Sequence, residues 1–249
     1  MCTFFSFVSD PSKPIAKRFL YFNWEQRQDF LKGKIKEESP DSHTSIGHFY
    51  GYSAVKEDSL NKYEYNPLTQ KFIIDQINNK VDDSIEAEKW VKELDFKNVC
   101  PLLILKPIIN PLSLPPRKPT KKDIENLKKW ASVWASVWES VWDSVWDSVW
   151  TSVRDSVKDS VWDSVWTSVR GSVKDSVRDS VWDYVWASVR SSVWASVWAY
   201  LSSFFNIKYK FDYSPLLELY AHGFIPSFDG TTWRLHTGTK ATIVYEWEK

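Results

Sequence analysis

The sequence predicts α+β units flanking a tetrapeptide-repeat array, with the array read as a small β-solenoid. Three observations carry that reading. From Ala131 to Trp198 the chain is an unbroken four-residue repeat of the ASVW, DSVW and TSVR type, seventeen copies long. On either side, short β-prone runs alternate with turn signals and capped amphipathic segments. Between 101 and 119 stand six prolines, Pro101, Pro107, Pro111, Pro115, Pro116 and Pro119, a density that forbids regular helix and reads as extended linker. The organisation that follows is a small α+β domain over 1–98, a Pro-rich linker over 99–119, the array with helical caps over 120–207, and a C-terminal β-hairpin unit over 208–249.

In the first domain, Thr3–Val8 and Ala16–Phe22 are aromatic, β-prone runs joined by the turn-rich SDPSKP. Asn23 caps a helix running to about Lys34. His43–Tyr52 reads as a second, short helix. Tyr63–Tyr65 and Lys71–Asp75 flank NPLTQ as a hairpin, and Asp82–Leu94 is amphipathic and helical. Beyond the linker, Thr120 caps a helix that carries Ile124, Leu127 and Trp130 on one side, a natural lid for one end of a solenoid. Ala199–Ile207 is the matching lid at the other end. The tail has a tight Asp229-Gly230 turn and two alternating runs, Thr232–Thr237 and Ala241–Trp247, which read as a terminal hairpin.

Within the array the third position is Val in all seventeen repeats and the second is Ser in sixteen, Tyr184 being the exception. The fourth is Trp in eleven and Arg or Lys in six. A position that accepts Trp, Arg or Lys has no fixed packing volume and reads as outward-facing. Invariant Val and near-invariant Ser behave as residues of fixed size in a repeated environment. Two architectures compete. In a single long α-helix, a period of four advances the Val stripe by about 40° per repeat, so no straight partner could follow it. That helix would be about 100 Å long, and Ser, Val, Trp and Asp are indifferent helix formers. In a β-solenoid each tetrad is one short side, Val points inward, and Asp, Thr or Gly stands near the corner. The 16-residue block Thr151–Trp166 is followed by a near copy, Thr167–Trp182. Four tetrads per coil would therefore align Trp134, Trp150, Trp166, Trp182 and Trp198 in one column, the predicted binding surface. The solenoid is the favoured reading and the long helix the alternative.

Composition bounds the function. The chain has 249 residues, 32 basic and 32 acidic side chains and a formal net charge of zero. Within the array six basic residues face nine acidic ones, a net of −3. Nucleic-acid binders that neutralise phosphates carry a basic excess, so stacking of the Trp rows on bases or sugars is the weaker expectation. Two cysteines, Cys2 and Cys100, make neither a disulfide framework nor a zinc site. The opening lacks the pattern of a secretory signal, and no apolar run is long enough for a membrane span. These features point to a reducing compartment, without cofactor and without membrane.

MCTFFSF at the start, DSHTSI near residue 41, YEYNPLT near residue 63 and PSFDGTTWRLHTG near the end flank the SVW/SVR array. Together they resemble a group of uncharacterised, repeat-containing proteins from bacteriophage genomes. The resemblance spans nearly the whole chain. It implies a phage or prophage origin and action in the cytoplasm of a bacterial host, and it supplies no catalytic residue or ligand.

Candidate chemistry is sparse. Cys2, exposed by removal of Met1, could serve as an N-terminal nucleophile with its own amine as base, and MCT is similar to the openings of some N-terminal-nucleophile amidases. No downstream amidase pattern follows, so an enzyme is the secondary reading and Cys2 its only candidate. Asp41, His43 and His48 lie close together, but a five-residue His spacing puts the rings on different faces of a helix, poor for a shared metal. Capping by Asp41 or Ser42 is the plainer account. His222 and His236 are isolated, and the array's Asp positions lack the Gly-rich turns of a calcium solenoid. No metal site is expected. The favoured expectation is a non-catalytic interaction or assembly module, whose partner is a second copy or a host or phage protein.

Overall fold

The computed structural model describes residues 5–53, 56, 58–148, 151–177 and 186–248. Strand β1 (Phe5–Ser9) is buried along its whole length, which requires cover on both faces of its sheet. Alternation sorts its side chains: Phe5 and Phe7 point to one face, Ser6 and Val8 to the other. The sheet is antiparallel, in the order β2-β1-β3-β4, with β2 at Phe19–Leu20, β3 at Asn61–Asn66 and β4 at Lys71–Gln76. A single helical turn, α1 (Ile15–Arg18), precedes β2.

On the Phe5/Phe7 face lies α4 (Ser84–Glu93), whose Trp90 ring packs on Phe7 at 5.0 Å and stacks on Phe19 at 4.7 Å. Phe96 closes the same face against Phe5 and Tyr65. On the other face, Val8 joins Phe22, Phe30, Ile46 and Leu60, supplied in part by α2 (Trp24–Leu31) and α3 (His43–Phe49). Asn23 caps α2 in a reciprocal capping box with Gln26, and Ser42 caps α3. These elements belong to a first compact unit, Met1–Leu105 with Val149–Val157.

The second unit is Lys106–Ser148 with Lys158–Lys249. It begins within the Pro-rich segment, whose 3-10 turn Pro111–Ser113 buries Pro111 and Leu112. Gly223, at φ +80, lets this segment approach closely: a Cβ there would stand 3.2 Å from the Cβ of Leu114. Thr120 caps α5 (Lys121–Val133) in a capping box with Asp123. The meander β5 (Phe224–Phe228), β6 (Thr232–Thr237) and β7 (Thr242–Glu248) forms an antiparallel sheet in the order β5-β6-β7. Helix α10 (Ser214–Ala221) precedes it.

In its described residues the array is helical, which overturns the predicted β-solenoid. It runs as a 3-10 turn at Trp134–Ser136, α6 (Val137–Ser148), α7 (Thr151–Val161), a π-helical turn at Trp162–Trp166, α8 (Thr167–Val177) and α9 (Trp186–Ser202). Nor is it one uninterrupted helix, because the 3-10 and π turns divide it and α9 packs against α6 and α8. Helix α9 also continues through Ser202, where the sequence suggested a separate lid beginning at Ala199. The physical reason lies in the tetrad. A helix satisfies its backbone locally, and its serines bond back to their own helix. The hydroxyls of Ser192, Ser196 and Ser202 donate to the carbonyls three residues earlier at 2.9, 2.7 and 2.6 Å. Inward Val needs no coil to be buried: thirteen array valines, from Val137 to Val197, are at most 1% exposed.

Candidate functional site

The array is the part of the chain whose composition demands an explanation beyond folding, and its helical geometry sorts the four positions. Val lies inside. In α9 the second-position Ser allows close approach to neighbouring elements and lends its oxygen to them, whereas Ser132, Ser136, Ser164 and Ser168 are exposed. Ser196 Oγ is 2.8 Å from the Tyr220 hydroxyl of α10, and Ser192 Oγ takes the amide hydrogen of Phe228 in β5. The first position is exposed at Asp159, Asp163, Thr167, Asp175 and Ala187. The fourth is exposed where it is Arg170, Lys174 or Arg190, and half-buried at Trp134, Trp162, Trp186 and Trp194.

The predicted Trp column fares as its register does. Sixteen residues of α-helix turn through about 160° beyond whole turns, so the alignment that coils would have given has no helical counterpart. Trp134 packs edge-on to Phe228 and Trp233, each at 5.8 Å. Trp166 is 5% exposed beside Trp162, with ring centroids 4.8 Å apart. Trp198 is 6% exposed and meets Trp194 edge-on at 5.5 Å. Trp150 and Trp182 lie outside the described residues. Among the described array indoles, those that keep open surface are Trp134, Trp162, Trp186 and Trp194, and the coil register passed over the last three. Their signal was the fourth-position variability itself, detached from any column.

The array exposes both cations and acids. Lys174 sits 5.9 Å from the centroid of the Trp186 ring, within cation–π range. The exposed acids include Asp159, Asp163 and Asp175, and the exposed cations include Arg170, Lys174 and Arg190.

The remaining candidates resolve into structural roles. Cys2 lies outside the described residues. Cys100 is buried, and burial pushes its thiol up, away from the reactive thiolate. Asp41 does not cap α3; its two oxygens take the Nη1 and Nη2 hydrogens of buried Arg27 at 2.9 and 2.6 Å. His43 Nε2 lies 3.0 Å from the carbonyl of Tyr63, and His48 faces Glu37 at 3.8 Å, so the two imidazoles have different partners. Asp83 is a buried hub that accepts from Ser9, Asn61 and the hydroxyl of Tyr63. His222 Nδ1 lies 2.6 Å from Oδ1 of Asp123. Burial pushes the Asp123 carboxyl up, but the hydrogen bonds from His222 and Thr120 outweigh it and hold the group below the usual carboxylate range. Among the described residues no group of three or more His, Cys, Asp or Glu side chains could hold a metal ion, and no helix is long and apolar enough to cross a membrane.

No protein-family model matches the chain, nor does any curated protein or solved structure.

Proposed function

We propose that the chain is a non-catalytic interaction module that associates with a second copy of itself through the fourth-position surface of its helical array. One observation carries this reading. The array's described valines from Val137 onward are fully enclosed, whereas Trp162, Trp186 and Trp194 keep open surface on an array that also exposes side chains of both signs, with Lys174 against the Trp186 ring. Indoles that repeat along a surface are typical anchors of protein interfaces. Interspersed Asp, Arg and Lys make that surface complementary to itself, and a chain of zero net charge offers little repulsion between copies. The resemblance to bacteriophage proteins supports action in a bacterial host cytoplasm, with a host or phage protein as the next partner to test.

Sedimentation velocity on the wild type and on the Trp162→Ser, Trp186→Ser, Trp194→Ser variant tests this. The expected result is concentration-dependent association in the wild type, lost in the variant at unchanged helix content, because the Val core is untouched. A wild type that stays monomeric at high concentration, and recovers no protein from host lysate, ends the proposal.

A further inference from the structure

A second feature, independent of the array's outer surface, lies where the Pro-rich segment passes α9 and α10. A half-open cavity of about 290 Å³ is lined there by Lys106, Ile109, Leu114, Tyr200, Leu217 and Tyr220, among others. Its size falls at the small end of ligand pockets, which begin at about 300 Å³. Its side-chain walls are apolar apart from Lys106 and the hydroxyls of Tyr200 and Tyr220, the last of these engaged by Ser196 Oγ at 2.8 Å. Lys106 is half-buried, its ammonium 4.7 Å from the centroid of the Phe204 ring and 5.7 Å from that of Tyr200. It donates to Ser203 Oγ at 2.6 Å, and Ser203 passes its own hydrogen to the carbonyl of Tyr200.

An ammonium has three hydrogens to donate. Among the described residues no carboxylate stands within ion-pair distance of Lys106, and Ser203 is its one hydrogen-bond acceptor. Tyr200 presents a second open donor. Its hydroxyl oxygen takes the amide hydrogen of Ile109 at 2.9 Å, and among the described residues its own hydrogen has no acceptor. Burial lowers the pKa of Lys106, the direction expected of a cation taken from water without a compensating anion.

We infer that this cavity binds a small amphipathic monocarboxylate, with its carboxylate on Lys106 and Tyr200 and its apolar body between Ile109, Leu114 and Leu217. The charge of the site selects an anion, and the single cation selects one with a single negative charge. The apolar walls exclude a bare inorganic anion, which would leave them wet.

Octanoate, octan-1-ol and octylamine, titrated calorimetrically into the full-length protein, test the assignment. Octanoate should bind, octan-1-ol roughly tenfold or more weakly, and octylamine not at all. Lys106→Met, which keeps the stem and removes the charge, should bring octanoate down to the level of octan-1-ol without changing the alcohol's affinity. Leu217→Trp, at a half-exposed position, should fill the cavity and abolish both. Octanoate and octan-1-ol binding alike in the wild type would overturn the inference, as would a folded wild type that binds neither. Should Lys106→Met fail to fold, the wild-type comparison and Leu217→Trp still decide it.

Discussion

The hydroxyl of Ser192, in α9, accepts the amide hydrogen of Phe228, in β5, at 2.8 Å and donates its own to the carbonyl of Val189 at 2.9 Å. Among the described residues strand β5 pairs only with β6, so its other edge carries backbone donors that no described strand receives, and Ser192 blunts that edge. Ser192→Ala leaves the Phe228 amide without this acceptor. It should cost about 1–2 kcal/mol, measured as a shift in urea midpoint at unchanged slope. Ser191→Ala, at the exposed neighbouring position, should cost nothing measurable.

The same serine shows where sequence reasoning failed. Elements specified by local chemistry were legible. NPLTQ lies between β3 and β4, Asn23 and Thr120 cap their helices, and Asp82–Leu94 contains α4. The tail was legible as far as β6 and β7, but β5 was missed, and Ala16–Phe22 proved to be a helical turn and a two-residue strand. The array was misread because propensity and period were weighed for an isolated helix with one partner. Helix α9 buries Val189, Ser192, Val193, Ala195, Ser196, Val197 and Trp198 against several neighbouring elements, so no single stripe has to stay in line, while Ala187, Arg190 and Ser191 remain exposed. Serine's indifference to helix matters little where it bonds to its own carbonyl and offers its oxygen to a neighbour. Lys106 was hidden for another reason: a lone cation in a Pro-rich stretch carries no pattern, and its enclosure depends on residues about a hundred positions away.

His236 gives a pH prediction. Its ring is fully buried, with Nε2 2.7 Å from Ser227 Oγ and Nδ1 3.0 Å from the carbonyl of Ala241. Burial pulls its pKa down to about 4; the Ala241 carbonyl opposes the shift and Arg234 adds to it. The unfolded chain, with an ordinary imidazole near 6.5, therefore binds more protons than the native state between about pH 6.5 and 4. Stability from this group is complete above pH 6.5, declines as pH falls through that window, and is flat below it. The shift corresponds to roughly 3 kcal/mol at most. Urea midpoints at pH 7.5, 5.5 and 4.5 should fall for the wild type. They should fall distinctly less for His236→Asn, which keeps a donor where Nδ1 stands. Parallel declines for the two proteins would refute the assignment.

The last prediction concerns the π-helical turn at Trp162–Trp166. In the surrounding α-helix the Val stripe advances about 40° with each tetrad. A π turn takes one extra residue, so everything beyond it is set back by about 100°, the drift of some two and a half tetrads. The turn is thus a phase correction: Val161 and Val165 before and within it, and Val169, Val173 and Val177 beyond it, are all at most 1% exposed. Deleting Ser164, which is exposed, would let the turn revert to regular α-helix and would rotate the later valines away from their present neighbours. Regular helix has better backbone hydrogen bonds than a π turn, so local propensity alone would make the deletion neutral or stabilising. Burial outweighs that gain, because each displaced Val stands to lose about 1.5 kcal/mol or more. The deletion should therefore lower the melting temperature markedly, while Ser164→Ala leaves it unchanged. A deletion variant as stable as the wild type would show that the π turn does not set the register of α8.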